Sequence, residues 1–255
     1  MSAVTFSLRG SIAVLTLENA SKLNALTSAM LEQIMTHCDA LERDSKVRAV
    51  VLTGAGEKAF CCGADIAEWG PMSPAEFARD WVRSGHRIFD RLARLDKPVI
   101  GALNGHAFGG GLELAACCDI RVMTPRATLA LPEAKIGIVP GWSGTQRLAR
   151  LIPEPVLKEM AVFGRRLSAE RALAIGFAAE LAEDALVTSI AIADELKTVS
   201  PRANGLAKAM IHAAVGEDRA AGVEALASAA AAASYDRSEG VEAFLNKRAA
   251  EFTGL

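Results

Sequence analysis

Residues 104–120 read NGHAFGGGLELAACCDI: three glycines, Gly109, Gly110 and Gly111, then an apolar run with helical spacing that holds one carboxylate, Glu113. Glycines at the head of a helix leave backbone N–H groups uncovered, and such a terminus can hold a phosphate. The run is not G-x-G-x-x-G, however, and G-x-x-x-x-G-K-[ST] occurs nowhere in the chain, so nucleotide cradles of those two kinds are set aside. What remains for bare amides is a developing oxyanion, which requires a second donor from another segment.

Outward from this stretch, strands and helices alternate. Residues 4–8 and 12–17 flank Arg9-Gly10-Ser11 and predict a hairpin, and Thr27 predicts the cap of an amphipathic helix carrying Leu31, Ile34, Met35, Cys38 and Leu41. Residues 47–52 read as a continuous apolar strand ending at Gly54. A helix over 74–95, a strand over 98–103, the GGGLELAACC helix and a strand over 119–123 follow. That order favours parallel, crossover-connected strands with helices outside. From about residue 153 the pattern predicts helices only, over 168–175, 183–199 and an alanine-rich stretch at 225–233, and the strands are expected to have ended. No Gly/Ser-rich or Pro-rich linker intervenes. We therefore expect an α/β core over 1–195 and a helical segment over 196–255 that packs on the core or on a neighbouring subunit.

Composition narrows the classes of function. With 255 residues, 51% of them hydrophobic, the chain can bury a substantial core. Its 28 basic and 30 acidic residues are interspersed, for a net charge of −2, so nothing drives it toward nucleic acid or anionic lipid. The N-terminal stretch lacks a charged region followed by a long apolar one, and no run reaches the roughly 18 uncharged residues of a membrane span. We expect a soluble, cytoplasmic protein. Cys38, Cys61, Cys62, Cys117 and Cys118 form two adjacent pairs and a singleton, a metal pattern of neither C-x-x-C kind nor a secreted framework, and read as reduced small hydrophobes. His37, His86, His106 and His212 are scattered without H-E-x-x-H spacing and read as ordinary surface or core residues, so no metal is expected. Ser143, in G-W-S-G-T, lacks the G-x-S-x-G spacing of a hydrolase nucleophile.

The best source of a second amide is the loop at 58–66, KAFCCGADI, which follows the 47–53 strand and carries small residues before a helix start. Ligands gather at such carboxyl ends of strands in open α/β sheets. Glu133 follows Pro132 at the end of a short strand over 128–131. Alone, Glu113 or Glu133 would read as an exposed or capping carboxylate. Beside bare amides and one apolar pocket, two carboxylates are expected to hold different protonation states.

The motifs AFCCGADI (59–66), KPVIGALNGHAFGGGLELAACCDI (97–120) and LPEAKIGIVPGWSGTQRLARLI (131–152) closely resemble those of the enoyl-CoA hydratase/isomerase, or crotonase, superfamily. Leu23-Asn24-Ala25-Leu26, LSAERA at 167–172 and EGVEAFLNKR at 239–248 extend the resemblance over essentially the whole chain. It implies a crotonase-like spiral of ββα repeats with a C-terminal helical trimerisation segment, assembling as a homotrimer or a dimer of trimers. It places the oxyanion-hole amides on Ala64 and Gly110, the two catalytic acids on Glu113 and Glu133, and a water-fixing amide on Gly141. Relatives that only shift a double bond usually lack the first acid, so hydration of a 2-enoyl-CoA, as in fatty acid metabolism, is favoured over isomerisation. Decarboxylases, dehalogenases and thioester hydrolases share the oxyanion hole and remain alternatives, with a non-catalytic CoA-binding or assembly protein behind them. Some relatives associate with RNA, but the charge balance offers no basic stripe for it. No cofactor is implied beyond the CoA moiety of the substrate, for which the resemblance offers the backbone of Cys62 at the adenine and Lys22 and Lys247 at the phosphates.

The chain also departs from the pattern. No proline precedes Asn24-Ala25-Leu26, which alters a turn. Trp142 stands where common hydratases carry only small residues after Pro-Gly, and Trp69 follows the oxyanion loop. Two indoles as pocket walls would favour a short, branched or planar acyl group, unless Trp142 points away into packing. The alanine-rich run 225–234 replaces aromatics that relatives often place near the adenine.

Overall fold

The computed structural model describes residues 2–216, 235–236, 239, 242–243 and 246–254. The alanine-rich run 225–234 lies outside the described residues, as does part of the 239–248 motif. The chain divides into two compact units, Met1–Asn204 and Gly205–Leu255.

In the first unit β1 (Ala3–Arg9) and β2 (Ile12–Glu18) form the expected antiparallel hairpin, with Gly10 at φ 61 in its turn. Thr27 caps α1 (Ser28–Arg43) by accepting from the Met30 amide, and the helix buries Met30, Leu31, Ile34, Cys38 and Leu41. The strands β3 (Ala49–Gly54), β5 (Val99–Leu103) and β7 (Ile120–Met123) run parallel to β2 and to one another. Strand β3 is buried along its whole length because both faces of this sheet are covered. Its Val50 and Leu52 enter one core with Leu15, Leu17 and the inner face of α1, whereas Ala49 and Val51 enter another with Val14, Ile100 and Ala185. A strand covered on both sides reads as a continuous apolar run rather than an alternating one.

A second sheet, not anticipated as such, holds the short strands β4 (Ala59–Cys61), β6 (His106–Phe108), β8 (Thr128–Ala130) and β9 (Leu167–Ser168). Here the reading of 58–66 as a loop is corrected: β4 lies inside it and pairs in parallel with β6, which pairs in parallel with β8. Strands β3, β5 and β7 of the large sheet are thus each followed by a small-sheet strand and then by helix or turn, the repeat of a ββα spiral. The expectation that strands end near residue 153 is corrected too. Strand β9 closes the small sheet and β10 (Glu180–Leu181) closes the large one, in the order β1-β2-β3-β5-β7-β10. Elements of two residues are too short to carry a period-two pattern, so only pairing partners distant in sequence define them.

Helices α2 (Ile66–Trp69), α3 (Pro74–Glu76) and α4 (Arg83–Ala93) follow β4, with a π-helical turn over Phe77–Val82 interrupting the single helix expected at 74–95. Helix α5 (Gly110–Ala115) is the glycine-headed segment. The remaining helices of this region are α6 (Gly144–Leu151), α7 (Glu154–Ala161), α8 (Ala169–Ala174) and α9 (Ala185–Glu195). Helix α9 lies across β2, β3, β5 and β7, covering the second face of the large sheet. Helix α10 (Pro201–Ala214) spans the division between the two units. In the second unit Asp236 accepts the amides of Thr253 and Gly254 at 2.7 and 2.9 Å. Among the described residues no helix is long and apolar enough to cross a membrane.

Candidate active site

The small sheet positions the chemistry. Its parallel strands β4, β6 and β8 end side by side, so the segments leaving their carboxyl ends are neighbours, as at the ligand edge of other parallel sheets. Ala64 comes from the first, Gly110 and Glu113 from the second, and Glu133 from the third. A Cβ built on Gly110 would lie 3.6 Å from the Ala64 nitrogen, so the two amides are adjacent. The groups on either side of the Ala64 N–H are spent on structure: Gly63 O accepts from Leu26 N–H at 2.8 Å, and Asp65 N–H donates to Leu26 O at 2.8 Å. The N–H groups of Ala64 and Gly110 donate to no group among the described residues.

The absence of side chains at the glycines follows from close approach. Gly109 adopts φ 51 and ψ −127, and a Cβ there would stand 2.7 Å from Glu133 Oε1. At Gly111 a Cβ would meet the Cys61 carbonyl oxygen at 2.1 Å. Helix α5 therefore packs backbone against β4, which sets the distance between the two free amides.

Glu113 is 2% exposed, and its Oε1 accepts from the amides of Trp142 at 2.8 Å and Gly144 at 2.7 Å. Burial pushes its carboxyl up from the usual range. The Trp142, Gly144 and Gly141 amides, and the Arg147 guanidinium, pull it back. Glu133, 7% exposed, is raised to about 7, first by burial and then by the charge of Glu113, and its Oε2 meets no hydrogen-bond partner. The two carboxyls thus differ in kind: two amides on Glu113 favour its ionised form, while the bare oxygen of Glu133 favours a proton.

Between them opens a cavity of about 240 Å³ lined by both glutamates, Ala64, Gly110 and Gly141, with apolar walls from Trp69, Phe77, Trp81, Val82, Ile138 and Trp142. Both indoles expected as pocket walls are there. Trp142 is also packed, 5.4 Å from the Trp81 ring and 5.1 Å from Phe89, and its Nε1–H donates to Trp81 O at 3.3 Å. Wall and packing, posed as alternatives from sequence, are two faces of one ring. Trp69 stacks at 5.3 Å on Phe77.

Cys62 lines the cavity half-buried, its amide donating to Leu23 O at 3.0 Å. Lys22 is ion-paired with Asp65 at 2.6 Å and does not line the cavity. Lys247 belongs to the second unit, where it is exposed with φ 54. All five cysteines are free thiols, and burial raises Cys61 and Cys62. Sequence reasoning missed Phe77, Trp81 and Val82, whose helical spacing looks like ordinary core. It also set aside Ser143 and His86, whose side chains meet across 57 positions.

Comparison with known proteins gives the family. The profile of the enoyl-CoA hydratase/isomerase family matches residues 7–254. A short-chain-enoyl-CoA hydratase of Clostridium acetobutylicum is 40% identical over 205 residues, 80% of this chain and 78% of that protein. A crotonyl-CoA hydratase of Syntrophomonas wolfei is 36% identical over 245 residues, 94% of each. The crystal structure of an enoyl-CoA hydratase from Bacillus anthracis superposes with a TM-score of 0.81 at 33% identity, covering 99% of both chains. With the family profile spanning residues 7–254 and relatives 36–40% identical over most of its length, the chain belongs to the enoyl-CoA hydratase/isomerase family.

Proposed function

We propose that the chain is an enoyl-CoA hydratase, adding water reversibly across the 2,3 double bond of a 2-enoyl-CoA to give a 3-hydroxyacyl-CoA. The observation that carries the reading is the pairing of two free amides with two unlike carboxyls around one apolar cavity. The names of the Clostridium and Syntrophomonas relatives point the same way.

Glu113, whose carboxylate form the loop amides favour against burial, takes a proton from water as the oxygen bonds to C3. The π electrons move onto the thioester oxygen, where the N–H groups of Ala64 and Gly110 meet the developing charge; one such donor contributes about 3 kcal/mol. The enolate then collapses and takes the Glu133 proton at C2. Gly141, whose amide acts on Glu113, stands where a water could be fixed. The apolar floor under Trp142 and Trp81 favours a short, branched or planar acyl group. Cys62 is the proposed backbone contact for the CoA adenine and Lys22 and Lys247 the proposed partners of its phosphates; to meet one, Lys22 must leave or share Asp65. The helical segment after residue 195 is proposed to join subunits as a trimer or a dimer of trimers.

The test is the ultraviolet absorbance of crotonyl-CoA. Wild type should bleach the conjugated band and yield 3-hydroxybutyryl-CoA. A panel varying in length and branching that is bound but never turned over would overturn the reading in favour of a CoA-binding protein.

A further inference from the structure

Trp142 and Gly144 both direct their amides at Glu113 Oε1, and the residue between them is Ser143, at φ 70 and ψ 17. Two amides two positions apart converge on one oxygen only if the chain between them turns sharply, here through the left-handed region that glycine adopts most readily. Glycines stand nearby on either side, at 141 and 144, yet the left-handed position itself carries a serine. Its hydroxyl is 57 residues away in sequence from its partner, Nδ1 of His86 on α4.

The connection continues into a closed ring. His86 Nε2 faces Asp90 Oδ2 at 3.6 Å, one helical turn on. Asp90 Oδ1 is ion-paired with Arg147 of α6, and Arg147 NH1 donates back to the Trp142 carbonyl at 3.4 Å. Arg94 adds a second cation to Asp90 at 3.5 Å. Ser143 and Arg147 are 8% and 4% exposed and the His86 side chain 48%, so the ring is buried where it meets the loop and opens to solvent at His86. Neither Ser143 nor His86 lines the cavity, which rules out a nucleophile and its base.

We propose that His86 and Ser143 are positioning residues, a clamp that holds residues 142–144 so that their amides orient Glu113, setting the rate of water activation and leaving thioester affinity alone. Ser143 acts on the backbone of its neighbours, and His86 fixes Ser143. The clamp rests on the hydratase reading above. If wild type hydrates no 2-enoyl-CoA, that reading fails. If it does and the variants below match it, only the clamp fails.

The experiment measures kcat, KM and the pH dependence of crotonyl-CoA hydration for H86L, H86N and S143G. Leucine removes the hydrogen-bonding nitrogen, asparagine keeps a polar amide near the place of Nδ1, and glycine keeps the left-handed backbone without the hydroxyl. H86L and S143G should each lose roughly tenfold in kcat with KM within about twofold, the size expected when a reacting group is displaced by a fraction of an ångström. H86N should recover most of the loss. The acid limb of kcat should also move to higher pH in H86L and S143G, because weaker amide bonds leave burial of Glu113 less opposed. The charged groups acting on Glu113 from other elements, Glu133 after β8 and Arg147 of α6, are intact in all three variants. Wild-type kcat in S143G, a rise in KM matching the fall in kcat, or equal loss in H86N and H86L would each overturn the clamp. If H86L does not fold, S143G and H86N decide it.

Discussion

Gly144 lies directly against Glu113: a Cβ on it would stand 2.3 Å from Glu113 Cγ, while its amide donates to Glu113 Oε1 at 2.7 Å. The glycine therefore both binds the carboxyl and leaves the space it occupies. G144A must push the Glu113 side chain off its amides. We expect kcat for crotonyl-CoA to fall at least roughly 100-fold, about 3 kcal/mol in the barrier, with a smaller change in KM. A G144A enzyme within a few-fold of wild type would show that Glu113 tolerates displacement.

E113Q and E133Q remove the two proposed proton-transfer groups without altering shape. Each should lower kcat by roughly a hundred- to ten-thousandfold. Calorimetric affinity for a saturated acyl-CoA should persist, since binding falls to the amides and apolar walls. Two active variants would remove both glutamates from the chemistry.

Glu133 also ties stability to pH. Its folded carboxyl is raised to about 7 from 4.5. A raised carboxylate favours the native state fully below its unfolded value, and that advantage is lost as pH rises through the folded one. Wild type should therefore lose stability relative to E133Q between about pH 4.5 and 7, by at most about 3 kcal/mol, and the difference should level off above. The comparison is made by denaturant melts at several pH values. A constant difference would mean that Glu133 titrates normally. The same group predicts an alkaline limb of hydration near pH 7.

Arg121, on β7, is buried at 4% exposure. Its NH1 donates to Cys118 O at 2.7 Å, its Nε to Phe177 O at 2.5 Å, and its guanidinium lies 4.6 Å from the Phe177 ring centre. R121A would strand two buried carbonyls and leave a void, costing about 3 kcal/mol. Thermal unfolding should fall by roughly 10 °C, with kcat and KM of the remaining folded enzyme near wild type.

The sequence by itself determined the large sheet except for β10, since hairpin, capped helix and apolar strands are written in local periodicity and turn chemistry, whereas β10 has only two residues. It also marked Ala64, Gly110, Glu113 and Glu133 as candidates, through motifs that resemble those of the family. Only the tertiary structure decided how those residues meet. The small sheet that gathers them uses strands of two or three residues, too short to show a period, and exists through pairing across distant segments such as Ala59 with His106. The double service of Trp142, wall on one face and packing on the other, depends on Trp81 and Phe89 arriving from other helices. Ser143 and His86 carry no local signal, because what joins them is a contact between a loop and a helix. Periodicity encodes which face of an element is buried; which side chains then touch is settled by how the elements pack.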